Sequence, residues 1–336
     1  MAGKGIAICG KVVADIFYTV ESFPVEGRST RLKDMRPLVG GMANISIQLA
    51  KLDPTMTVKL AAILGNDGEG EHCMEMLSEY PNIDLSGITR EGTTSTTMVL
   101  NTMDTKTRSF LSRPGTSNFF CLDNIDWDVM DADVMVLEYL LSLDRCDEDD
   151  PEYGTHAGRI LHEAQSRGMR TAIDFSSRVN ERAPHILKSA LPYTDYCVMN
   201  ESECEGTTQM TVTDEEGKVV PQLVEKALNY MADNGCNTWA VVHAPEACFG
   251  LDCVTREFVA VDSLKIHKDE IVGVNGAGDA FCSGIVFQAY KGASLAEALR
   301  FARAVAGLSL TGDTGYASIR PEAEVWDFER RMLERD

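Results

Sequence analysis

Gly276-Ala277-Gly278-Asp279 lies between an extended apolar run (Ile271, Val272, Val274) and a helical pattern of apolar residues (Ala280, Phe281, Ile285, Phe287, Ala289). Two glycines at a strand-to-helix junction permit a tight turn and expose several N–H groups at the helix start. Such an end carries partial positive charge and collects anions, phosphates above all. A carboxylate at Asp279 would repel a phosphate held there. The arrangement makes chemical sense if Asp279 faces an incoming hydroxyl and takes its proton while the amides hold a transferring phosphoryl group. The same four residues also allow a plain glycine turn in which Asp279 only stabilises the helix start.

The surroundings extend this pattern. Over the C-terminal two thirds, strand-like runs at 134–137, 171–175, 196–199 and 238–242 alternate with helical patterns at 153–167, 184–190 and 221–234, as in βαβ units. Ser294-Leu295-Ala296-Glu297 has capping-box spacing and opens what reads as the last long helix. In the N-terminal third, 5–9 and 58–64 read as core strands around a helix starting near Met42. Segments 12–38 and 93–112 are instead polar, threonine-rich and alternating. They predict a small sheet projecting from a parallel-sheet body, with one face over a cleft. The acidic run Asp147-Glu148-Asp149-Asp150 reads as a solvated loop.

Composition narrows the function. The 336 residues are 44% hydrophobic and 25% charged, with a net charge of −21. That acidity argues against binding a phosphate backbone, so no nucleic-acid partner is expected. It also means that an anionic substrate needs a local positive trap. The ten cysteines include no C-x-x-C pair and the six histidines are scattered, so reduced buried thiols and no zinc site are expected. No apolar stretch approaches 18 residues and no signal-like segment is visible, which predicts a cytoplasmic protein without a membrane partner.

Several further residues gain meaning together. Gly40-Gly41-Met42-Ala43-Asn44 puts a glycine pair before a helix with Asn44 in its first turn, and Asp15 lies in the first projecting segment. Asn200-Glu201-Ser202-Glu203 places an amide and a carboxylate on one helix face, suited either to hydrated Mg²⁺ or phosphate, or to a simple N-cap. Asp174 and Arg178 close another strand, at the end where open α/β sheets bind ligands. In this order, from about residue 5 to 321, the motifs resemble the ribokinase or PfkB family of carbohydrate and nucleoside kinases. The resemblance implies one α/β domain over 1–336, a doubly wound, mostly parallel ribokinase-like sheet with a small β lid formed by about 12–38 and 93–112. It implies ATP and Mg²⁺ as cofactors and an alcohol-phosphorylating activity. By position, Asp279 matches the catalytic base, and Gly276, Ala277 and Gly278 the anion hole. Asn200 and Glu203 match the residues that organise the nucleotide phosphates and Mg²⁺, the metal through water. Asp15, Gly40, Gly41 and Asn44 match substrate contacts, and Arg178 is placed with them on the substrate side, where it could offset negative charge during transfer or simply pair with a surface carboxylate. Asp15 and Asn44 are expected on the lid side of the cleft, opposite Gly276 and Asp279.

The chain departs from the family pattern in places. Ser176 replaces an asparagine between Asp174 and Arg178. Gly273 and Val274 lack the side-chain oxygens of the usual Asp-Thr, so activation by a monovalent cation is not expected. His243-Ala244-Pro245-Glu246-Ala247 replaces a glycine-rich nucleotide contact, and Arg303 stands where an asparagine is frequent near adenine. The leading expectation is phosphorylation of a primary hydroxyl of a sugar or sugar derivative. A nucleoside kinase, with a base stacked on Phe17, Tyr18 or Phe110, is the alternative, and a non-catalytic sugar-binding paralogue a third. A homodimer through the lid is expected if that sheet bares an apolar face.

Overall fold

Ile6-Ala7-Ile8-Cys9 is apolar at every position, the pattern of a strand covered on both faces. A computed structural model of the chain describes residues 3–105 and 107–335, so residue 106 of the 93–112 segment and both chain ends of the 1–336 span lie outside the described residues. Ile6 and Ile8 enter one hydrophobic layer, Ala7 and Cys9 the other, and all four are fully buried.

In chain order the first strands are β1 (Ile6–Cys9), β2 (Val12–Val20), β3 (Leu32–Gly41), β4 (Val58–Leu64), β5 (Ile83–Arg90), β6 (Thr96–Thr102) and β7 (Arg108–Arg113). There follow β8 (Val134–Leu140), β9 (Asp149–Asp150), β10 (Gly154–Thr155), β11 (Arg170–Phe175), β12 (Tyr196–Asn200), β13 (Trp239–His243), β14 (Ala247–Asp252) and β15 (Phe258–Asp262). The main sheet has the order β15-β14-β13-β12-β11-β8-β1-β4-β5. Its strands from β13 to β5 are parallel, and β14 and β15 extend the β13 edge antiparallel. Helices α1 (Ala43–Leu52), α2 (Gly68–Ser78), α7 (Ala277–Lys291), α8 (Leu295–Leu310) and α9 (Glu322–Leu333) cover the Ile6 face. Helices α3 (His156–Ser166), α4 (Ala183–Ala190), α5 (Glu201–Thr208) and α6 (Pro221–Asp233) cover the other. Strand order reverses between β1 and β8. Open α/β sheets take ligands at such a reversal, beyond the carboxyl ends of the strands.

The second sheet, in the order β3-β2-β6-β7, grows from the carboxyl end of β1 and returns into α1. Pairing fixes its faces. Asp15, Thr97 and Ser112 are in register on one face, and Ile16, Met98 and Leu111 on the other. The outer face is apolar and open, with Met98 41%, Leu111 58% and Met35 55% exposed.

Three expectations change. Residues 271–275 form no strand, because Val272 and Gly273 give their N–H groups to the Leu310 carbonyl at the end of α8 instead of to a neighbouring strand. The glycine turn at 276 is therefore a loop-to-helix junction. The acidic run is only partly solvated. Asp150 is buried, accepts from Arg159 Nε at 2.6 Å and caps the turn at Glu152 and Tyr153, while Asp147 accepts from the Leu141 N–H. Finally, α8 is not the last long helix. The apolar residues Val325, Phe328 and Met332 bury α9 against it.

Arg303, which stands where an asparagine is frequent near adenine in the resembled family, is held by partners of its own chain. Its guanidinium donates to Glu329 Oε1 at 2.8 Å and to the Asp262 carbonyl at 2.7 Å, and Arg300 meets Glu329 Oε2 at 2.7 Å. Glu329 is buried, so its loss leaves Arg303 charged in a dry place. Glu329→Ala is expected to cost about 3 kcal/mol, the range for breaking a buried pair, read as a lowered urea unfolding midpoint.

Candidate active site

The carboxyl ends of β1, β8, β11, β12 and β13 converge on the start of α7. The first intrahelical bond of α7 runs from Ala280 N to the Gly276 carbonyl at 2.9 Å, so the N–H groups of Ala277, Gly278 and Asp279 are left over by the helix geometry. Gly276 has φ +74°, and a Cβ there would lie 2.9 Å from Gly315 Cα. Gln48 of α1 holds both sides of this contact, donating to the Gly315 carbonyl at 3.0 Å and the Gly276 carbonyl at 3.4 Å. At Gly278 a Cβ would meet His243 only at an ordinary 3.6 Å, so protein packing does not demand glycine there. His243 itself is neutral at physiological pH, since burial lowers its pKa to about 4.

Asp279 is buried and accepts from Asn44 Nδ2 at 2.7 Å and from the Tyr139 hydroxyl at 3.0 Å. Burial raises its pKa, and these two donors oppose the rise. It borders a cleft of about 500 Å³ shared with Asp15, Phe17, Gly41, Asn44 and Gly276. Asp15 has its pKa raised to about 7 by burial and by the charge of Asp279, with Thr97 donating against the rise. The glycine pair is there for steric reasons. A Cβ on Gly40 would come 2.1 Å from Asp15 Oδ2, and Gly41, at φ +66°, passes Lys11 so closely that a Cβ would sit 2.1 Å from its carbonyl.

Behind Asp279 lies a group of acids. Glu138, Asp174 and Asp279 each offer a carboxylate oxygen within 4.8 Å of the others. Glu138 is fully buried, and neither of its oxygens has a hydrogen-bond partner among the described residues. Burial, then the charges of Asp279 and Asp174, push its pKa well up, and Asp174 is pushed up by burial, Glu203 and Asp279. Asn200 and Glu203 form a capping box at the start of α5: Asn200 Oδ1 accepts from Glu203 N at 2.8 Å, and Glu203 Oε2 from Asn200 N at 2.9 Å. Glu203 Oε1 accepts from Ser177 at 3.0 Å. Burial raises Glu203 to about 7 despite these donors. The N-x-x-E spacing therefore serves the cap while keeping Glu203 within electrostatic reach of Asp174 and Asp279.

Asp15, Gly41, Asn44, Arg178, Gly276 and Asp279 all border one cleft, with Gly40 beneath Asp15. Asn44 does not stand across the cleft from Asp279 but is bonded to it, because α1 packs directly on α7. Of the three aromatics, Phe17 and Phe110 face the cleft, whereas Tyr18 alternates onto the outer face with Ile16. Tyr139, Glu138 and Lys11 were not singled out by sequence. Tyr139 has φ +65°, a conformation that costs a non-glycine residue about 1–3 kcal/mol and is retained where the surroundings fix it. The signal available was Glu138-Tyr139 directly after the apolar run 134–137, a charged residue near the carboxyl end of β8.

The pfkB family carbohydrate kinase profile matches residues 4–321. Comparison with curated proteins finds no match. Among solved structures, ribokinase of Arabidopsis thaliana complexed with ribose and ATP superposes with a TM-score of 0.78 at 20% identity, covering 98% of this chain and 99% of that one. A protein assigned as ribokinase II from E. coli, solved with ATP and Mg²⁺, gives 0.75 at 16% identity over 98% and 99%. The nucleoside kinase of Methanocaldococcus jannaschii, an archaeal member of the ribokinase family, gives 0.72 at 14% identity over 98% of both chains. At these identities the likeness carries the fold.

Tyr139 supplies a test of the charge balance at Asp279. Its hydroxyl favours the ionised carboxylate, so Tyr139→Phe raises the Asp279 pKa while keeping ring and backbone. If Asp279 must be ionised to work, activity is lost at a higher pH than in the parent. The acid limb of the kcat/KM profile is expected to move up by about one unit, the order of a hydrogen bond to a charged group. An unmoved limb would detach Tyr139 from the titrating group.

Proposed function

The chain belongs to the pfkB family of carbohydrate kinases, and from this premise we propose that it transfers the γ-phosphoryl group of ATP to a primary hydroxyl of a sugar or sugar derivative. The observation that carries this reading is Asp279, buried at the start of α7, beside three spare backbone donors, with an oxygen bonded by Asn44 and the other by Tyr139.

The reaction follows from those positions. Asp15, with Gly40 leaving room for its carboxylate, and Asn44 grip acceptor hydroxyls. Asp279 takes the proton of the reacting hydroxyl as its oxygen bonds to the γ-phosphorus and ADP departs. The N–H groups of Ala277, Gly278 and Asp279 stabilise the charge on the transferring group, and the bare Gly278 lets it approach the backbone. The donor set fits a hard divalent cation: buried carboxylates with raised pKa values, and a Glu138 with no partner for either oxygen among the described residues. Glu203 and Asn200 would hold Mg²⁺ through water, and the ion would neutralise phosphate charge. Arg178 borders the same cleft and is assigned to substrate. The small sheet over the cleft is the lid that excludes water from the transfer. Its open apolar face supports pairing of two copies lid to lid.

A nucleoside acceptor is the second reading. Phe17, Val99 and Phe110 are in register across three strands on the cleft side, a platform on which a base could stack.

ADP release from MgATP with a panel of sugars and nucleosides separates these readings: turnover of a sugar supports the first, of a nucleoside the second, and of neither the non-catalytic paralogue. Asp15→Ala is expected to weaken acceptor binding by roughly 1.5–3 kcal/mol, the range for a hydrogen bond with a charged partner, with nucleotide affinity nearly unchanged. Calorimetric titration of nucleotide and acceptor into the variant checks it. Loss of nucleotide binding with acceptor binding retained would remove Asp15 from the acceptor site.

A further inference from the structure

The cleft carries charge of both signs: Asp15 lies within electrostatic reach of Asp279, and Lys11 of Arg178, with Arg113 bordering the same space. Lys11 follows β1 and is 9% exposed. Its ammonium donates to Asn118 Oδ1 at 2.9 Å, and Asn118 in turn donates to Asp144 Oδ2 at 2.9 Å, so the nearest counter-charge is one residue removed. Lys11 makes no ion pair among the described residues, and Arg178 neither an ion pair nor a hydrogen bond. Arg113 only partly spends its charge, donating to the Thr94 carbonyl at 3.2 Å near Asp67. Burial and the like charge of Arg178 lower the Lys11 pKa, and Asp144 opposes them more weakly. Holding a buried ammonium beside a guanidinium without a carboxylate in contact costs free energy, which a bound anion offsets.

Hydroxyls border the same cleft. Ser142 donates to Ser176 at 2.8 Å, which leaves the Ser176 proton available, and both serines border the cleft. Ser176 stands where the family pattern has an asparagine. A lysine with two unused donors, an unpaired guanidinium and a free hydroxyl make a site for a carboxylate or phosphate group.

We infer that the acceptor is an anionic sugar, a sugar acid or sugar phosphate, whose charged group is held by Lys11 and Arg178 with Ser176 while its reacting hydroxyl meets Asp279. This deepens the kinase reading and rests on it for the acceptor's role. Asp15 and Asp279 repel the anionic group, and Lys11 and Arg178 supply the local attraction that a chain of net charge −21 otherwise lacks.

The test is steady-state kinetics of the full chain with MgATP. The neutral arm is ribose, fructose and adenosine; the carboxylate arm gluconate and 2-ketogluconate; the phosphate arm ribose 5-phosphate and fructose 6-phosphate. The best anionic acceptor is expected to exceed the neutral ones by about 10² in kcat/KM, and whichever anionic arm contains it identifies the charged group. Lys11→Met and Arg178→Gln should each lower its kcat/KM by about 10–10², mainly through KM, with the KM for ATP unchanged. Arg178 is exposed, so its variant tests the idea even if Lys11→Met does not fold. A neutral sugar or adenosine as best acceptor overturns the inference, and so do variants that raise the KM for ATP while sparing the acceptor. Calorimetry separates this from the kinase reading. If no compound is phosphorylated yet gluconate or fructose 6-phosphate binds and Arg178→Gln abolishes binding, the anionic site stands and the kinase reading falls. If nothing is phosphorylated and no anionic compound binds, both fall.

Discussion

Carboxylates gathered in a dry place at the end of the sheet set the terms for everything around them. Glu138, Asp174, Glu203 and Asp279 come from four different elements, and the charge of one raises the pKa of the next. Like charges this close cannot all remain ionised in low dielectric without compensation. Part of the compensation is built in. Asn44 and Tyr139 donate to Asp279, Ser177 and the Asn200 N–H to Glu203. Glu138 receives none of it from the described residues. The remainder is left to what binds, and a divalent cation with nucleotide phosphates is the chemistry that such a set of oxygens suits.

The backbone around this group is shaped to hold it. Tyr139 accepts a left-handed conformation just after the apolar run of β8, which turns its hydroxyl to Asp279. Gln48 and Lys51 of α1 fasten the 315–317 loop beneath the Gly276 turn, so Asp279 is placed by two helices and a loop together. One precise contact, from Asn44, crosses from α1 to α7. The cleft that results is bordered by acidic and basic side chains together, Asp15 and Asp279 with Lys11, Arg113 and Arg178.

Much of this was legible in the sequence because it depends on local rules. Period-2 and period-3.6 patterns located most of the parallel strands and most helices, though neither β5 nor α2, and the threonine-rich alternating segments marked the smaller sheet. Gly276 was legible as a turn glycine at a helix start, whereas Gly40 and Gly41 read only as a turn before a helix or as substrate contacts, and their steric role shows in the fold. What escaped depends on partners distant in sequence. The run at 271–275 looks like a strand, but its N–H groups meet Leu310. Arg303 shows no partner in one dimension, until α9 brings Glu329 to it. Tyr139 and Lys11 are unremarkable in one dimension, since the first matters through Asp279, 140 positions away, and the second through Asn118, 107 away. Asp150 sits in an acidic run that reads as solvated, yet Arg159 draws it inside.

The account turns on Asp279 as the proton acceptor. Its most direct test is single-turnover phosphoryl transfer by Asp279→Asn, with nucleotide affinity and thermal unfolding measured on the same preparation. An amide keeps the shape and the contact with Tyr139 but cannot take the proton. The account predicts transfer slowed by about 10²–10⁴, the usual contribution of a general base, with nucleotide binding and stability retained. Transfer at close to the parent rate would contradict it and leave Asp279 as a residue that only stabilises the start of α7.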